Sequence, residues 1–176
     1  MIELQKSDRL WTLRINRPGK ANALTADMLE EIYEITKNAH NARAFILTGS
    51  GKVFSAGADL AAAKAGLATS DVWERVSAAI ASLPCLTIAA LNGTLAGGAF
   101  GMALACDLRL AVPTAKFFYP VTALGYLPQP SDPSRMSALI GPARTKMILL
   151  AGQKLTAEEA LTYGLIEQIC APERLM

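Results

Sequence analysis

The chain has 176 residues, 52% of them hydrophobic, 18% charged and 6% aromatic, a composition suited to one globular domain with a substantial core. Seventeen lysines and arginines face fifteen aspartates and glutamates, a formal net charge of +2. With so even a balance and no long basic run, neither a nucleic-acid partner nor a membrane-surface partner is expected.

The N-terminus, M-I-E-L-Q-K-S-D, carries acids and no long apolar run, so it does not read as a secretory signal. Ile2–Gln5 and Leu10–Asn16 read as two strands around the polar turn Lys6–Arg9, the second alternating with period two. Asn16–Leu24 is a loop broken by Pro18 and Gly19. Thr25 is placed to cap a helix running to about His40, with Met28, Ile32 and Ile35 on one face. Arg43–Thr48 is a short strand. Val53–Leu60 follows, with Phe54 packing inward and Gly57 giving a bend, and then an alanine-rich helix to about Gly66. Asp71–Ser82 is another helix, with Val72, Val76, Ala79, Ile80 and Leu83 as its apolar set.

Leu86–Leu91 reads as a buried strand, after which Asn92–Gly93–Thr94 and Gly97–Gly98 lead into a helix of small and apolar residues. Ser77–Cys106 holds no charged side chain, yet Pro84 and these turns divide it into pieces too short to span a bilayer. A soluble, cytoplasmic protein is expected. Leu108–Val112 and Lys116–Tyr119 are strands, and Gly125–Pro133 is a proline-rich loop. Arg135–Ile140 and Ala143–Leu150 are helices; Thr156 and Glu159 form a capping box for a third, closed by Gly164. Ile166–Ile169 is a late strand. Short paired strands followed by helices argue for an α/β layered fold.

The familiar chemical motifs are missing. Gly97-Gly98-x-x-Gly101 is not a dinucleotide fingerprint, Gly49-Ser-Gly-Lys52 is not a complete phosphate loop, and no G-x-S-x-G elbow occurs. His40 is the single histidine, which argues against a histidine triad or a metal cluster. Cys85, Cys106 and Cys170 sit in apolar surroundings without C-x-x-C spacing and read as buried thiols in a reducing compartment. What remains is a pair of backbone features. Ala56–Leu60 and Leu95–Gly98 are both strand-to-helix turns of small residues, and two N–H donors converging from them would form an oxyanion hole. Each such donor is worth ~3–4 kcal/mol of transition-state stabilisation.

N-R-P-G-K-A-N-A-L (16–24), F-S-A-G-A-D-L (54–60), N-G-T-L-A-G-G-A-F-G-M-A-L-A-C-D (92–107), L-G-Y-L-P (124–128) and L-T-A-E-E-A-L-T-Y-G-L-I (155–166) resemble the crotonase superfamily, the enoyl-CoA hydratase/isomerase family, in order and spacing. The resemblance implies a spiral of strand-strand-helix turns, an acyl-coenzyme A thioester as substrate with no separate cofactor or metal, and a homotrimer or dimer of trimers. It implies a single core domain over 1–176, without the C-terminal helical segment through which relatives form trimers. By position, the oxyanion donors are the N–H groups of Ala58 and Gly98. Ala56, Asp59, Leu60 and Gly97 line the pantetheine and acyl path, and Lys20, Ala21, Asn22, Ala23 and Leu24 contact the adenine end. Arg17 and Lys20 are either phosphate neighbours or ordinary solvated charges.

Two departures bear on the reaction. Where hydratases of this family carry their two proton-transferring glutamates, this chain has Gly101 and Val121, and neither moves a proton. Tyr119, Tyr126, Ser131 and Asp132 lie near the second position. Tyr119, Tyr126 and Asp132 are the proton-transfer candidates; the other reading has the tyrosines as half-buried packing residues and Ser131–Asp132 as a helix cap. Asp107 reads as fold-stabilising. The expected reaction is isomerisation or decarboxylation; thioester hydrolysis and silent acyl-CoA binding or assembly are the alternatives.

Overall fold

The computed structural model describes residues 1–176. Strands β1 (Ile2–Ser7) and β2 (Leu10–Ile15) form an antiparallel hairpin. The turn is tighter than the expected Lys6–Arg9. Lys6 and Ser7 stay in the ladder opposite Trp11 and Leu10, and only Asp8, at φ 54°, and Arg9 turn the chain. The Lys6 ammonium lies 3.6 Å from the Trp11 ring centre, which favours the longer pairing.

Helix α1 (Ala26–Lys37) is capped as expected, Thr25 Oγ1 accepting the Met28 N–H. It stops three residues before His40, because the Asn38 side chain donates to the Glu34 carbonyl and competes with a further turn. Its buried face is Met28, Leu29, Ile32 and Thr36, with Ile35 only half-buried.

Three spiral turns then follow. Strand β3 (Ala44–Gly49) leads to β4 (Val53–Ser55) and helices α2 (Leu60–Lys64) and α3 (Val72–Ala81). Strand β5 (Leu86–Leu91) leads to β6 (Thr94–Ala96) and α4 (Phe100–Ala105). Strand β7 (Leu108–Ala111) leads to β8 (Lys116–Phe118) and α5 (Asp132–Ile140). Helices α6 (Pro142–Leu149) and α7 (Ala157–Tyr163), with β9 (Leu155–Thr156) and β10 (Gln168–Ile169), complete the chain.

The first strand of each turn joins a six-stranded sheet of order β1-β2-β3-β5-β7-β10; the second joins a four-stranded sheet of order β4-β6-β8-β9. Beyond the opening hairpin the larger sheet is parallel, as strand–helix crossovers require. Leu13, Ile15, Phe45, Leu47, Ala89 and Leu91 are fully buried and face a continuous core with α1 and α3.

The smaller sheet holds most of the surprises. β6 and β9 were not expected, because strands of three and two residues carry no readable alternation. Helix α5 begins inside the expected Gly125–Pro133 loop: Pro133 sits in its first turn, where a missing N–H costs nothing. The late strand is shorter than Ile166–Ile169, because the Leu165 and Ile166 N–H groups both bond back to Ala160 O and close α7. No helix is long and apolar enough to cross a membrane.

Candidate active site

The turn after β4 is a hydrogen-bonded scaffold. Ser55 Oγ donates to Asn22 O at 2.9 Å and accepts the Gly57 N–H at 3.1 Å. Leu24 N–H donates to Gly57 O and Asp59 N–H to Leu24 O, both at 2.8 Å, so the 20–24 loop is stitched to this turn. The Ala58 N–H, between them, donates to no group of the protein.

Gly57, at φ 87°, packs directly on the turn after β6. A Cβ there would stand 2.9 Å from Ala96 O and 3.4 Å from Gly98 N. Gly97, at φ 58°, meets it from the other side, and the Gly98 N–H belongs to the first turn of a helical run, where donors lack partners within the helix. The Ala58 and Gly98 turns therefore abut. A Cβ on Gly98 would lie 3.2 Å from the Trp73 ring, so the indole closes the floor.

Beside these turns is a cavity of about 240 Å³. Ala56, Ala58, Leu60, Gly97 and Gly98 line it, as do Tyr119 and Tyr126. Eleven of its fifteen lining residues are hydrophobic and none is lysine, arginine or histidine, so it suits an uncharged chain. Sequence reasoning missed Trp73, Leu124, Leu127 and Gln129 in this wall. Trp73 was legible as a large aromatic in an apolar helix; Leu124 and Leu127, 63% and 84% exposed, gave no core signal. A groove of about 400 Å³ between α1 and α3, walled by Tyr33, Lys37 and His40, is larger but more open and brings no such pair of turns together.

The remaining residues named from the sequence lie outside this cavity. Lys20 is exposed, whereas Asn22 and Leu24 are fully buried and Ala21 and Ala23 half-buried, outside the cavity. Asn22 is a structural tie: its Oδ1 accepts the Arg17 N–H, and its Nδ2 donates to Ser50 O and Val53 O. Asp59 does not line the cavity either. It caps α2 through the Ala61 and Ala62 N–H groups and pairs with Arg17 at 2.8 Å. The Arg17 guanidinium and these capping bonds hold the Asp59 carboxyl below its usual range. Arg17 also donates to Ala23 O, so its guanidinium is tied to both the loop and Asp59. Asp107 is a fold tie, its Oδ2 accepting from the Thr87 N–H and hydroxyl.

Two of the proton-transfer candidates, Tyr119 and Asp132, meet in a buried tyrosine–carboxyl pair. Ser131 precedes α5 but makes no side-chain cap; its hydroxyl and N–H donate to Glu74 Oε2. Asp132 is fully buried behind Tyr119 and accepts its hydroxyl proton at 2.6 Å. Tyr119 is 1% exposed, more deeply set than the half-buried packing role allows; its ring meets Phe100 edge-on at 5.3 Å, and its oxygen accepts the Gln129 N–H. Burial pushes the Asp132 carboxyl up to about 7, against the Tyr119 hydrogen bond and Arg135, with Glu74 adding to the rise. Burial likewise pushes the Cys106 thiol up to about 12, an inert packing group. No three histidine, cysteine or acidic side chains gather as a metal ion would need.

The family profile described as enoyl-CoA hydratase/isomerase matches residues 5–176. YngF of Bacillus subtilis, whose name carries the same family, is 41% identical over 97% of this chain and 69% of its own length. The crotonyl-CoA hydratase of Syntrophomonas wolfei is 35% identical over 99% of this chain and 71% of its own. The crystal structure of an enoyl-CoA hydratase from Bacillus anthracis superposes with a TM-score of 0.87 at 32% identity, covering 99% of this chain and 71% of that one. Sequence, spiral topology and solved relatives agree: the chain belongs to the enoyl-CoA hydratase/isomerase family of the crotonase superfamily, a family of enzymes of the lyase and isomerase type.

Proposed function

We propose that the chain takes an uncharged, unsaturated acyl-CoA thioester, holds its enolate on the Ala58 and Gly98 N–H groups, and shifts a double bond rather than adding water. The abutment of the two glycine turns beside an apolar cavity carries this reading. Two backbone donors fixed by packing cost no reorganisation when negative charge develops on the thioester oxygen. Hydration by two acids is disfavoured because Val121, at one of the two glutamate positions, lines the cavity with an aliphatic side chain, and Gly101 has none. Isomerisation is preferred to decarboxylation because no cation lines the cavity to receive a second carboxylate.

The test is a panel of 2-enoyl-, 3-enoyl-, malonyl- and 3-hydroxyacyl-CoA thioesters, with the ultraviolet absorbance of the conjugated thioester as readout. The 3-enoyl thioester is expected to turn over best. Gly98→Pro removes the donor and should lower kcat/KM by about 10²-fold or more while circular dichroism stays native. Unchanged turnover would sink the oxyanion assignment; binding without turnover of any thioester would favour a silent acyl-CoA binder.

A further inference from the structure

Gly101 lies one turn beyond Gly98, and its missing side chain is not replaced by solvent. A Cβ built there would stand 2.9 Å from Asp132 Oδ1 and 3.5 Å from Oδ2. A carboxyl group from the start of α5 thus occupies the space beside the bare backbone of α4. Oδ2 accepts the Tyr119 hydroxyl hydrogen bond, while Oδ1 is buried and takes no hydrogen bond from the protein. Carboxylate oxygens left unpaired in a dry interior are costly, and a purely structural aspartate would be expected to satisfy both. Tyr119 in turn forms part of the cavity wall that Gly98 shares.

We propose that Tyr119 and Asp132 form a proton relay that replaces the acid missing at Gly101: the Tyr119 hydroxyl exchanges a proton with the substrate carbon, and Asp132 acts through it. This rests on the isomerase reading above. In the forward step a Cα–H bond of the 3-enoyl thioester breaks. Its proton passes to the Tyr119 oxygen as that oxygen's own proton passes to Asp132 Oδ2, and the C–H electron pair becomes the dienolate held by Ala58 and Gly98. The reverse transfers return the proton to Cγ, giving the conjugated 2-enoyl thioester with no co-reactant. Tyr119 is the group that meets substrate; Asp132 is a positioning and proton-storing residue behind it.

The groups facing Asp132 are Tyr119 beyond β8, Glu74 from α3 and Arg135 from its own helix; α4 carries no titratable side chain. Burial outweighs Arg135, so the carboxyl titrates near neutrality, where a proton store works best. Burial and the Asp132 charge raise the Tyr119 hydroxyl well above its ordinary value, so it remains a proton-bearing bridge.

The full chain, Tyr119→Phe and Asp132→Asn would be assayed across pH with a 3-enoyl-CoA, and separately for exchange of α-hydrogen of a saturated acyl-CoA in D2O. The wild type should gain kcat/KM with rising pH through an inflection near 7. Both variants should lose about 10²-fold or more and retain acyl-CoA binding, and Asp132→Asn should lose the inflection. Because asparagine still accepts the Tyr119 hydrogen bond, a structural role predicts a near-normal Asp132→Asn enzyme. Normal rates with the inflection intact in either variant would overturn the relay and leave the isomerase reading standing. Deuterium exchange that needs both residues, without isomerisation, would keep the relay and overturn the isomerase reading. No exchange and no turnover by the wild type would overturn both.

Discussion

Asp132 couples stability to pH as well as chemistry. Its carboxyl has a folded pKa of about 7 against an ordinary 3.8, so the folded chain binds this proton more tightly than the unfolded one. The contribution is full below pH ~4 and is lost as pH rises through ~7, reaching about 4 kcal/mol at most. Asp132→Asn keeps the shape and removes the titration. Urea denaturation should therefore show variant and wild type within about 2 kcal/mol of each other near pH 5, and the variant ahead by up to about 4 kcal/mol near pH 8.5. Parallel stabilities at both pH values would place the Asp132 proton elsewhere. The Asp59 carboxyl runs in the opposite sense. Held low by Arg17 and two cap bonds, it stabilises above the ordinary carboxylate range and loses that as pH falls.

At the scale of elements, the loop from Lys20 to Leu24 determines where the Ala58 turn sits. Ala21 and Asn22 both adopt left-handed backbone, at φ 49° and 54°, a conformation that costs an alanine about 1–2 kcal/mol. Asn22 makes it worthwhile by answering three backbone groups at once. Asn22→Ala strands the Arg17 N–H and the Ser50 carbonyl and leaves Val53 O with only its longer bond from Asn92, and is expected to cost about 3 kcal/mol in urea unfolding. Turnover should fall further than stability alone explains, since Leu24 aligns the Ala58 peptide; intact turnover in a destabilised variant would separate loop from site. The late helix α7 is simpler: its capping box formed as its sequence pattern said, since both partners lie within four residues.

Across the whole molecule, Arg109 ties the end of α4 to the last turn of the spiral. It is 3% exposed, donates to Leu165 O and Cys106 O, and pairs with Glu167, whose carboxylate also accepts the Arg109 N–H. Arg109→Met leaves the Leu165 and Cys106 carbonyls unpaired and the Glu167 carboxylate with only the residue-109 backbone N–H, and should cost about 2–4 kcal/mol, with faster hydrogen exchange in α7 and β10 than elsewhere. Uniform exchange would deny it that local role. The sequence alone determined most of the longer helices and strands, an α/β layering, and the two turns that carry Ala58 and Gly98, because periodicity, caps and glycine turns are local, while the spiral was implied by the family resemblance. Only the tertiary structure decided which residues share the cavity. It gave Arg17, Asn22 and Asp59 structural bonds between the 17–24 loop and its neighbours, built the smaller sheet from two- and three-residue strands, and brought Asp132 to Gly101 from a different helix. Those pairings are between residues far apart along the chain, and no local pattern records them.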